Sequence, residues 1–274
     1  MSAADLWRDT LRAWAIPDEI LDEAPESPYG FPTELFRHRT RRAVTRAATP
    51  TTLRALEALP DRGTVLDVGV GSGATSLPLA VRASRITGVD GSADMLQSFE
   101  AAATSAGVEA VGVLGTWPDT GAEVQSADVV VCGHVFYNAQ ELAPFVRELT
   151  THAIRRVVVE LTDRHPWAWM DDLWLRFHGL ERPAGPAADD AEAVLRELGL
   201  KTEREDRIES AGSGGFARLD DAIALVRRRL CVKADRDGEI AEALGERLVE
   251  RNGLWSAGPQ RQPLVTMWWS RAGR

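Results

Sequence analysis

Residues 64–73 read TVLDVGVGSG, and this stretch decides the fold of the chain. An apolar run leads directly into three glycines at alternate positions, Gly69, Gly71 and Gly73. The order predicts a buried strand, a tight turn and then a helix, which together form the first βα unit of a nucleotide-binding fold. Glycines let backbone amides approach a ligand closely and adopt φ angles that other residues avoid.

The acid at Asp67 indicates which kind of ligand this turn binds. The spacing Gly69-x-Gly71-x-x-Ala74 also satisfies the dinucleotide fingerprint. A dinucleotide would bring an anionic pyrophosphate to the turn, where the carboxylate of Asp67 would repel it. S-adenosylmethionine (SAM) instead carries an ammonium and a sulfonium, which a carboxylate attracts. The residues therefore favour SAM over NAD, and a reductase of Rossmann type is the weaker alternative.

A second acid follows at the end of the next predicted strand. Residues 85–90 read RITGVD, so Asp90 stands where a carboxylate holds a ribose diol. Residues 92–96, SADML, then begin a helix with Ser92 as its N-cap. The D-x-G-x-G-x-G turn, the V-D acid and the S-x-x-M-L segment resemble the class I SAM-dependent methyltransferases over roughly residues 61–163.

This resemblance implies an α/β fold, a Rossmann-like seven-stranded doubly wound sheet, with SAM as the cofactor. It places Asp67 and the three glycines on the methionine side of SAM and Asp90 on the ribose. After the third strand the family usually has an acid against the adenine, but this chain has Thr116. Thr116 through its backbone and Trp117 through its ring are the candidates for the adenine contact, and a structural Trp117 is the open alternative.

The alternation of apolar runs predicts a parallel sheet with helices between the strands. The predicted strands are 64–68, 85–89, 109–114, 127–132 and 155–161. Pro78 falls in the first predicted crossover helix and should kink or shorten it. The family resemblance implies a final antiparallel pair, for which 202–209 and 264–270 are the candidates.

Two parts of the chain lie outside the common core. Residues 1–60 are predicted to form an N-terminal helical extension or lid, and 61–274 the SAM-binding domain with helical insertions at about 164–190 and 216–252. The predicted helices in these parts are 2–15, 33–48, 51–59, 189–198, 219–231 and 237–251. Four aromatic residues of the extension and first insertion are expected to line the acceptor pocket: Tyr29, Phe31, Trp167 and Trp169.

The candidate catalytic residues follow the fourth and fifth strands. His134 and Tyr137 lie in the exit of the fourth strand, and Glu160 and His165 lie at and after the end of the fifth. Ligands of open α/β sheets bind at such carboxyl ends, and a histidine can accept a proton near neutral pH. A general base is needed only if the acceptor must lose a proton. A purely structural His134, bonded to backbone, is the alternative.

Composition narrows the acceptor and the location. The 274 residues carry a net charge of −9, which argues against a nucleic-acid partner because phosphate contacts need a basic face. Cys132 and Cys231 have no metal spacing, so no metal is expected. No apolar segment has the length of a membrane span or signal peptide, which predicts a cytoplasmic protein. The predicted function is methyl transfer from SAM to oxygen or nitrogen of a small organic acceptor. RNA or protein methylation and a non-catalytic SAM-binding module are the alternatives, and the sequence leaves the oligomeric state open.

Overall fold

The computed structural model describes residues 1–29, 40–41, 43–45, 47–210 and 215–271. Its centre is a seven-stranded sheet in the order β3-β2-β1-β4-β5-β9-β6, in which β1 to β5 run parallel and β9 pairs antiparallel with both β5 and β6. The predicted seven-stranded sheet and its antiparallel pair are therefore confirmed. The strands are β1 Gly63–Val68, β2 Ala83–Asp90, β3 Glu109–Leu114, β4 Ala127–Gly133, β5 Ala153–Thr162, β6 Glu203–Ser210, β7 Leu248–Arg251, β8 Leu254–Ala257 and β9 Arg261–Ser270.

Helices cover both faces of the sheet, because successive residues of each strand point to opposite sides. The α-helices whose bounds are described are α1 Ala3–Ala13, α2 Asp18–Glu23, α3 Pro50–Ala58, α4 Ala93–Ala106, α5 Leu142–His152, α6 Asp171–His178, α7 Ala188–Glu197, α8 Leu219–Arg229 and α9 Asp237–Leu244. One face packs against α1, α5 and α7 and the other against α3 and α4. Trp268 and Trp269 on β9 divide between these two cores.

Helix α1 belongs to the main core. Trp7 is fully buried there, and its indole N–H donates to the Ala139 carbonyl at 2.9 Å. Leu11 and Trp14 lie on the same buried face, whereas Leu6 is half-exposed. These buried side chains pack α1 against the main core.

A third, smaller core joins the two insertions. Leu173 and Trp174 of α6 pack against Ile223 and Val226 of α8, and Ile20 of α2 packs on this cluster. The insertion at 164–190 contributes α6 and the start of α7, and the insertion at 216–252 contributes α8 and α9. These additions lie after the end of β5 and after β6 in the chain, outside the seven-stranded sheet.

Two predicted crossover helices are wrong. Between β1 and β2 the chain forms turns and a 3-10 helix at Leu77–Val81, with Pro78 in its first turn, where its missing N–H is tolerated. Between β3 and β4 there is only a 3-10 helix at Gly121–Glu123, because the connection is short and contains Pro118.

The helix predicted at 237–251 is also too long. Helix α9 ends at Leu244, where Gly245 takes a positive φ of 49°, and β7 and β8 follow as an antiparallel hairpin. Asn252 and Gly253 form the turn with φ of 53° and 76°, as a two-residue hairpin of the primed type requires. Of the helix predicted at 33–48, Thr40, Arg41 and 43–45 are helical and the remaining part falls mostly outside the described residues.

No helix among the described residues has the length and apolar character needed to cross a bilayer. In the same part of the chain, no three His, Cys, Asp or Glu side chains are grouped so that they could hold a metal ion.

Candidate functional site

The glycine turn after β1 has the backbone conformation that its sequence predicts. Gly69, Gly71 and Gly73 all have positive φ, at 73°, 51° and 90°. The amides of Gly69 and Val70 both donate to the Val89 carbonyl at the end of β2, at 2.8 and 3.0 Å. The turn is therefore fixed to the neighbouring strand in a conformation that favours glycine.

Asp90 links this turn to the next helix. Its Oδ2 accepts the Gly71 amide at 2.8 Å, and its Oδ1 accepts the Ser92 amide at 2.9 Å. A carboxylate has about four lone-pair sites, so each oxygen can still accept a further donor. Asp90 is partly exposed, and it therefore fits the predicted role of holding a diol.

Asp67 is a completely buried carboxylate at the start of the turn. Neither of its oxygens has a hydrogen bond of normal geometry to the described residues. Burial raises its pKa to about 7, an effect that the nearby Ser76 hydroxyl reduces and the charge of Asp90 increases. A buried carboxylate without a donor is costly unless a cation neutralises it. This orphaned acid therefore fits a positively charged ligand and would repel an anionic one.

The end of β4 is packed directly against the glycine turn. A Cβ added to Gly69 would clash with the side chain of Val135, and one added to Gly133 would clash with the hydroxyl of Thr75. His134 lies between these two contacts, with a φ of 63° that is unusual for a residue with a side chain. Backbone strain of this kind costs about 1–3 kcal/mol and clusters at functional sites.

His134 is held at this position by Glu160. The backbone N–H of His134 donates to the Glu160 carbonyl at 2.6 Å, and its ring Nε2 lies 3.2 Å from Glu160 Oε1. The His134 side chain is 42% exposed whereas that of Glu160 is 10% exposed. The imidazole thus reaches solvent beside the glycine turn while its orienting carboxylate stays buried.

Glu160 has two further partners, both on its other oxygen. Oε2 accepts the Thr51 hydroxyl of α3 at 2.5 Å and the Arg207 guanidinium of β6 at 2.9 Å. Burial alone would raise the pKa of Glu160. The hydrogen bond and charge of His134, then Arg207 and Thr51, outweigh burial and hold that pKa well below its ordinary value of 4.5. The structure therefore contains an ionised, fully partnered carboxylate at the end of β5.

Tyr137 and His165 lie elsewhere than the predicted site would require. Tyr137 is buried, stacks on Trp7 and donates its hydroxyl to the Thr162 carbonyl at 2.7 Å. Burial raises its pKa above the ordinary value of 10. His165 stacks on Trp14 at 3.9 Å between ring centroids, and burial, followed by the charge of Arg182, lowers its pKa to about 3. Both rings fix α1 to the domain, so this geometry does not support them as catalytic groups.

The side chains of Thr116 and Trp117 lie in different surroundings. Thr116 lies beside the end of β2, where its Cγ2 is 4.0 Å from the Cβ position of Gly91, and its hydroxyl donates to Asp119. Trp117 is buried, with its indole N–H donating to the Phe145 carbonyl and its ring edge-on to His152. The interpretation of Trp117 as an adenine-stacking residue does not fit this inward placement, whereas Thr116 remains a candidate.

The four residues predicted to line an acceptor pocket are placed differently from one another. Tyr29 is 60% exposed. Trp167 and Trp169 are partly buried with ring centroids 6.4 Å apart, and they pack on the third core. Phe31 lies outside the described residues, so the lining of the pocket stays a prediction.

The sequence interpretation missed the residues around Glu160. Thr51 lies 109 residues before it and Arg207 lies 47 residues after it, so no local motif joins them. Thr266, the cross-strand neighbour of Glu160 on β9, adds a hydroxyl 2.9 Å from that of Thr51. One feature of the sequence could have indicated these contacts. Strand β6 is rich in charged residues of both signs, and an arginine that faces inward from it needs a carboxylate partner.

Comparison with known proteins identifies a methyltransferase domain in this chain. Residues 66–156 match the family model described as a methyltransferase domain. No curated protein matches the sequence.

Three solved structures share the fold at low identity. The YcgJ protein of Bacillus subtilis is 17% identical, with a TM-score of 0.52 over 82% of this chain and 98% of its own. A cyclopropane-fatty-acyl-phospholipid synthase-like protein of Lactobacillus casei is 17% identical, with a TM-score of 0.52 over 92% and 98%. The magnesium protoporphyrin IX methyltransferase of Synechocystis, solved with bound S-adenosylhomocysteine (SAH), is 14% identical, with a TM-score of 0.50 over 98% and 99%.

Proposed function

We propose that this chain, which carries a class I SAM-dependent methyltransferase domain, methylates an oxygen or nitrogen atom of a small organic acceptor. SAM is the cofactor. When bound, it supplies a methyl group on a positively charged sulfur, which leaves as a neutral thioether. We further propose which residues hold the cofactor, which residue accepts a proton and what kind of acceptor is used.

The residues of the glycine turn suit this cofactor. Asp67 would face its positive charge, because the buried carboxylate has no hydrogen bond of normal geometry to the described residues. Asp90 would accept the ribose hydroxyls through the lone pairs that Gly71 and Ser92 leave free. The turn glycines would allow close approach of the backbone, and Thr116 is placed near the end of β2 for a contact with the base.

The position of His134 carries the proposal. Its ring is half-exposed, the next residue Val135 packs against Gly69 of the glycine turn, and Glu160 faces its Nε2. This contact favours the tautomer with the proton on Nε2, which leaves Nδ1 to accept a proton from a hydroxyl or amine. His134 is thus the proposed general base, and Glu160 is a positioning residue that orients it. A base of this kind serves O- and N-methylation, in which the acceptor loses a proton.

The charge of the chain supports a small acceptor rather than a polymer. Proteins that bind RNA obtain much of their affinity from lysine and arginine contacts to phosphates. This chain has 32 basic against 41 acidic residues. Holding a small acceptor in line with the departing thioether supplies much of the rate, and that requires a shaped pocket rather than an extended basic surface.

Methyl-labelled SAM offered with a panel of small phenols, alcohols and amines, beside total RNA and a protein extract, tests the proposal. We expect label in a small molecule. With that acceptor, His134→Ala should lower kcat by roughly 10²–10⁴-fold and leave the Kd for SAM within a few-fold. His178→Ala is the matched control, because that ring bonds the Leu230 carbonyl and not Glu160. Label confined to RNA or protein, or an unchanged kcat in His134→Ala, would contradict the proposal.

A further inference from the structure

The two carboxylate oxygens of Glu160 bind different partners. Oε1 faces His134, whereas Oε2 accepts both Thr51 and Arg207. These partners come from three separate elements: the exit of β4, the first turn of α3 and the edge strand β6. With two donors fixing Oε2, the carboxylate cannot rotate, and Oε1 stays directed at the imidazole.

The balance of charge requires a counter-ion other than His134. A general base must be neutral before it accepts a proton, so a neutral His134 cannot offset the buried charge of Glu160. A buried carboxylate without a counter-charge costs several kcal/mol and tends to take up a proton instead. Arg207 carries a permanent charge, its side chain is only 17% exposed, and it lies 2.9 Å from Oε2. It can keep Glu160 ionised whether or not His134 is protonated.

Thr51 completes the arrangement from the N-terminal side. Its hydroxyl lies 2.5 Å from Glu160 Oε2 and 2.9 Å from the Thr266 hydroxyl. Because a carboxylate oxygen can only accept, Thr51 donates to Glu160 and is free to accept from Thr266. Both threonines are buried, so water does not replace these hydrogen bonds.

We propose that Arg207 and Thr51 are positioning residues of the methyl-transfer site, which hold Glu160 ionised and in one orientation so that His134 keeps its proton on Nε2 and presents Nδ1 to the acceptor. The inference rests on the proposed function, since it takes His134 as the base. It adds that residues of α3 and of the antiparallel edge strand, both bound to the other oxygen of Glu160, determine the state of that base.

Long-range ¹H–¹⁵N spectra of the imidazole rings test the inference on the full chain saturated with SAH. His134→Gln identifies the His134 signals among the five histidines. At alkaline pH the unaltered protein should show His134 protonated on Nε2. In Arg207→Gln and in the milder, isosteric Thr51→Val, the signals should shift toward a mixture of both tautomers. With the acceptor that the panel identifies, kcat of both variants should fall by roughly tenfold to a hundredfold.

Two control variants separate this role from a general effect on packing. Arg204→Gln makes the same change on β6, at an arginine paired with Asp189, Glu192 and Asp206. Thr52→Val makes the same change in α3, at a hydroxyl bonded to Thr49. Both should keep the His134 tautomer of the unaltered protein. A folded Thr51→Val or Arg207→Gln protein with that same tautomer would overturn the inference. The absence of any small acceptor would overturn only the proposed function, because the spectra need none.

Discussion

Asp67 and Glu160 are two buried acids of the same sheet with opposite surroundings. Asp67 on β1 is 0% exposed and has no hydrogen bond of normal geometry to the described residues, and burial raises its pKa to about 7 even though the Ser76 hydroxyl lies nearby. Glu160 on β5 is 9% exposed, yet three side chains bind its carboxylate, and its pKa lies well below the ordinary value. The protein already supplies partners that neutralise Glu160, and the contrast fits the proposal that Asp67 faces a cationic ligand.

The largest expected effect concerns the partnered acid. Glu160→Gln removes the negative charge and leaves the guanidinium of Arg207 and the imidazole of His134 without it. Breaking a buried ion pair by removing one partner costs about 3–5 kcal/mol. We expect a decrease of that size in the free energy of unfolding, measured by urea denaturation at neutral pH. A variant as stable as the unaltered protein would show that Glu160 contributes no more than an exposed acid.

Asp67→Asn should have the opposite effect and increase the free energy of unfolding of the SAM-free protein. Between the unfolded value of 3.8 and the folded value of about 7, the folded protein holds a proton on Asp67 that the unfolded chain releases. Raising the pH across this interval therefore lowers the stability of the SAM-free protein. At about pH 8 the asparagine variant should be more stable by about 2–4 kcal/mol, and the difference should vanish near pH 4.

The contribution of Glu160 to the free energy of unfolding depends on pH over a different range. Because the folded pKa of Glu160 is depressed, its stabilisation is fully present above 4.5 and is lost as the pH falls further. Urea titrations over a pH series for the unaltered protein, Asp67→Asn and Glu160→Gln separate the two acids. A destabilised Asp67→Asn protein at about pH 8 would contradict an orphaned carboxylate.

A smaller effect is expected on cofactor affinity. If SAM binds the ionised form of Asp67, its affinity should increase by about tenfold between about pH 6 and pH 8, because the carboxylate must first lose its proton. Isothermal titration calorimetry over this range measures the change. Asp67→Asn should bind weakly and without this pH dependence, and Asp94→Asn, at an acid of the first turn of α4, is the matched control.

The elements that the sequence predicted well are those that depend on neighbouring residues. The positions of the strands along the chain follow from apolar runs, and the glycine turn with Asp67 and Asp90 follows from short motifs. The hairpin at Asn252 and Gly253 also had a local signal, which the helical interpretation of 237–251 passed over. Local information was therefore sufficient for the positions of the strands and for the conformation of the glycine turn.

The surroundings of Glu160 could not be predicted in this way. The contact with Thr51 spans 109 residues and exists only because α3 packs on the sheet beside β5 and β9. The orientation of a loop side chain is equally non-local: Trp117 follows β3 as expected, yet its ring points into the core. Which side chains meet at the acceptor side is decided by tertiary packing.

The central claim is that Asp67 binds the cofactor while Glu160 orients the base, and one comparison tests it most directly. SAM is titrated calorimetrically into the unaltered protein, Asp67→Asn and Glu160→Gln at about pH 8, where Asp67 is ionised. We expect Asp67→Asn to lose roughly 10–100-fold in affinity, as is typical of a charge-assisted contact. Glu160→Gln should remain within a few-fold of the unaltered protein. Equal losses in both variants, or a loss confined to Glu160→Gln, would contradict the division of function between the two acids.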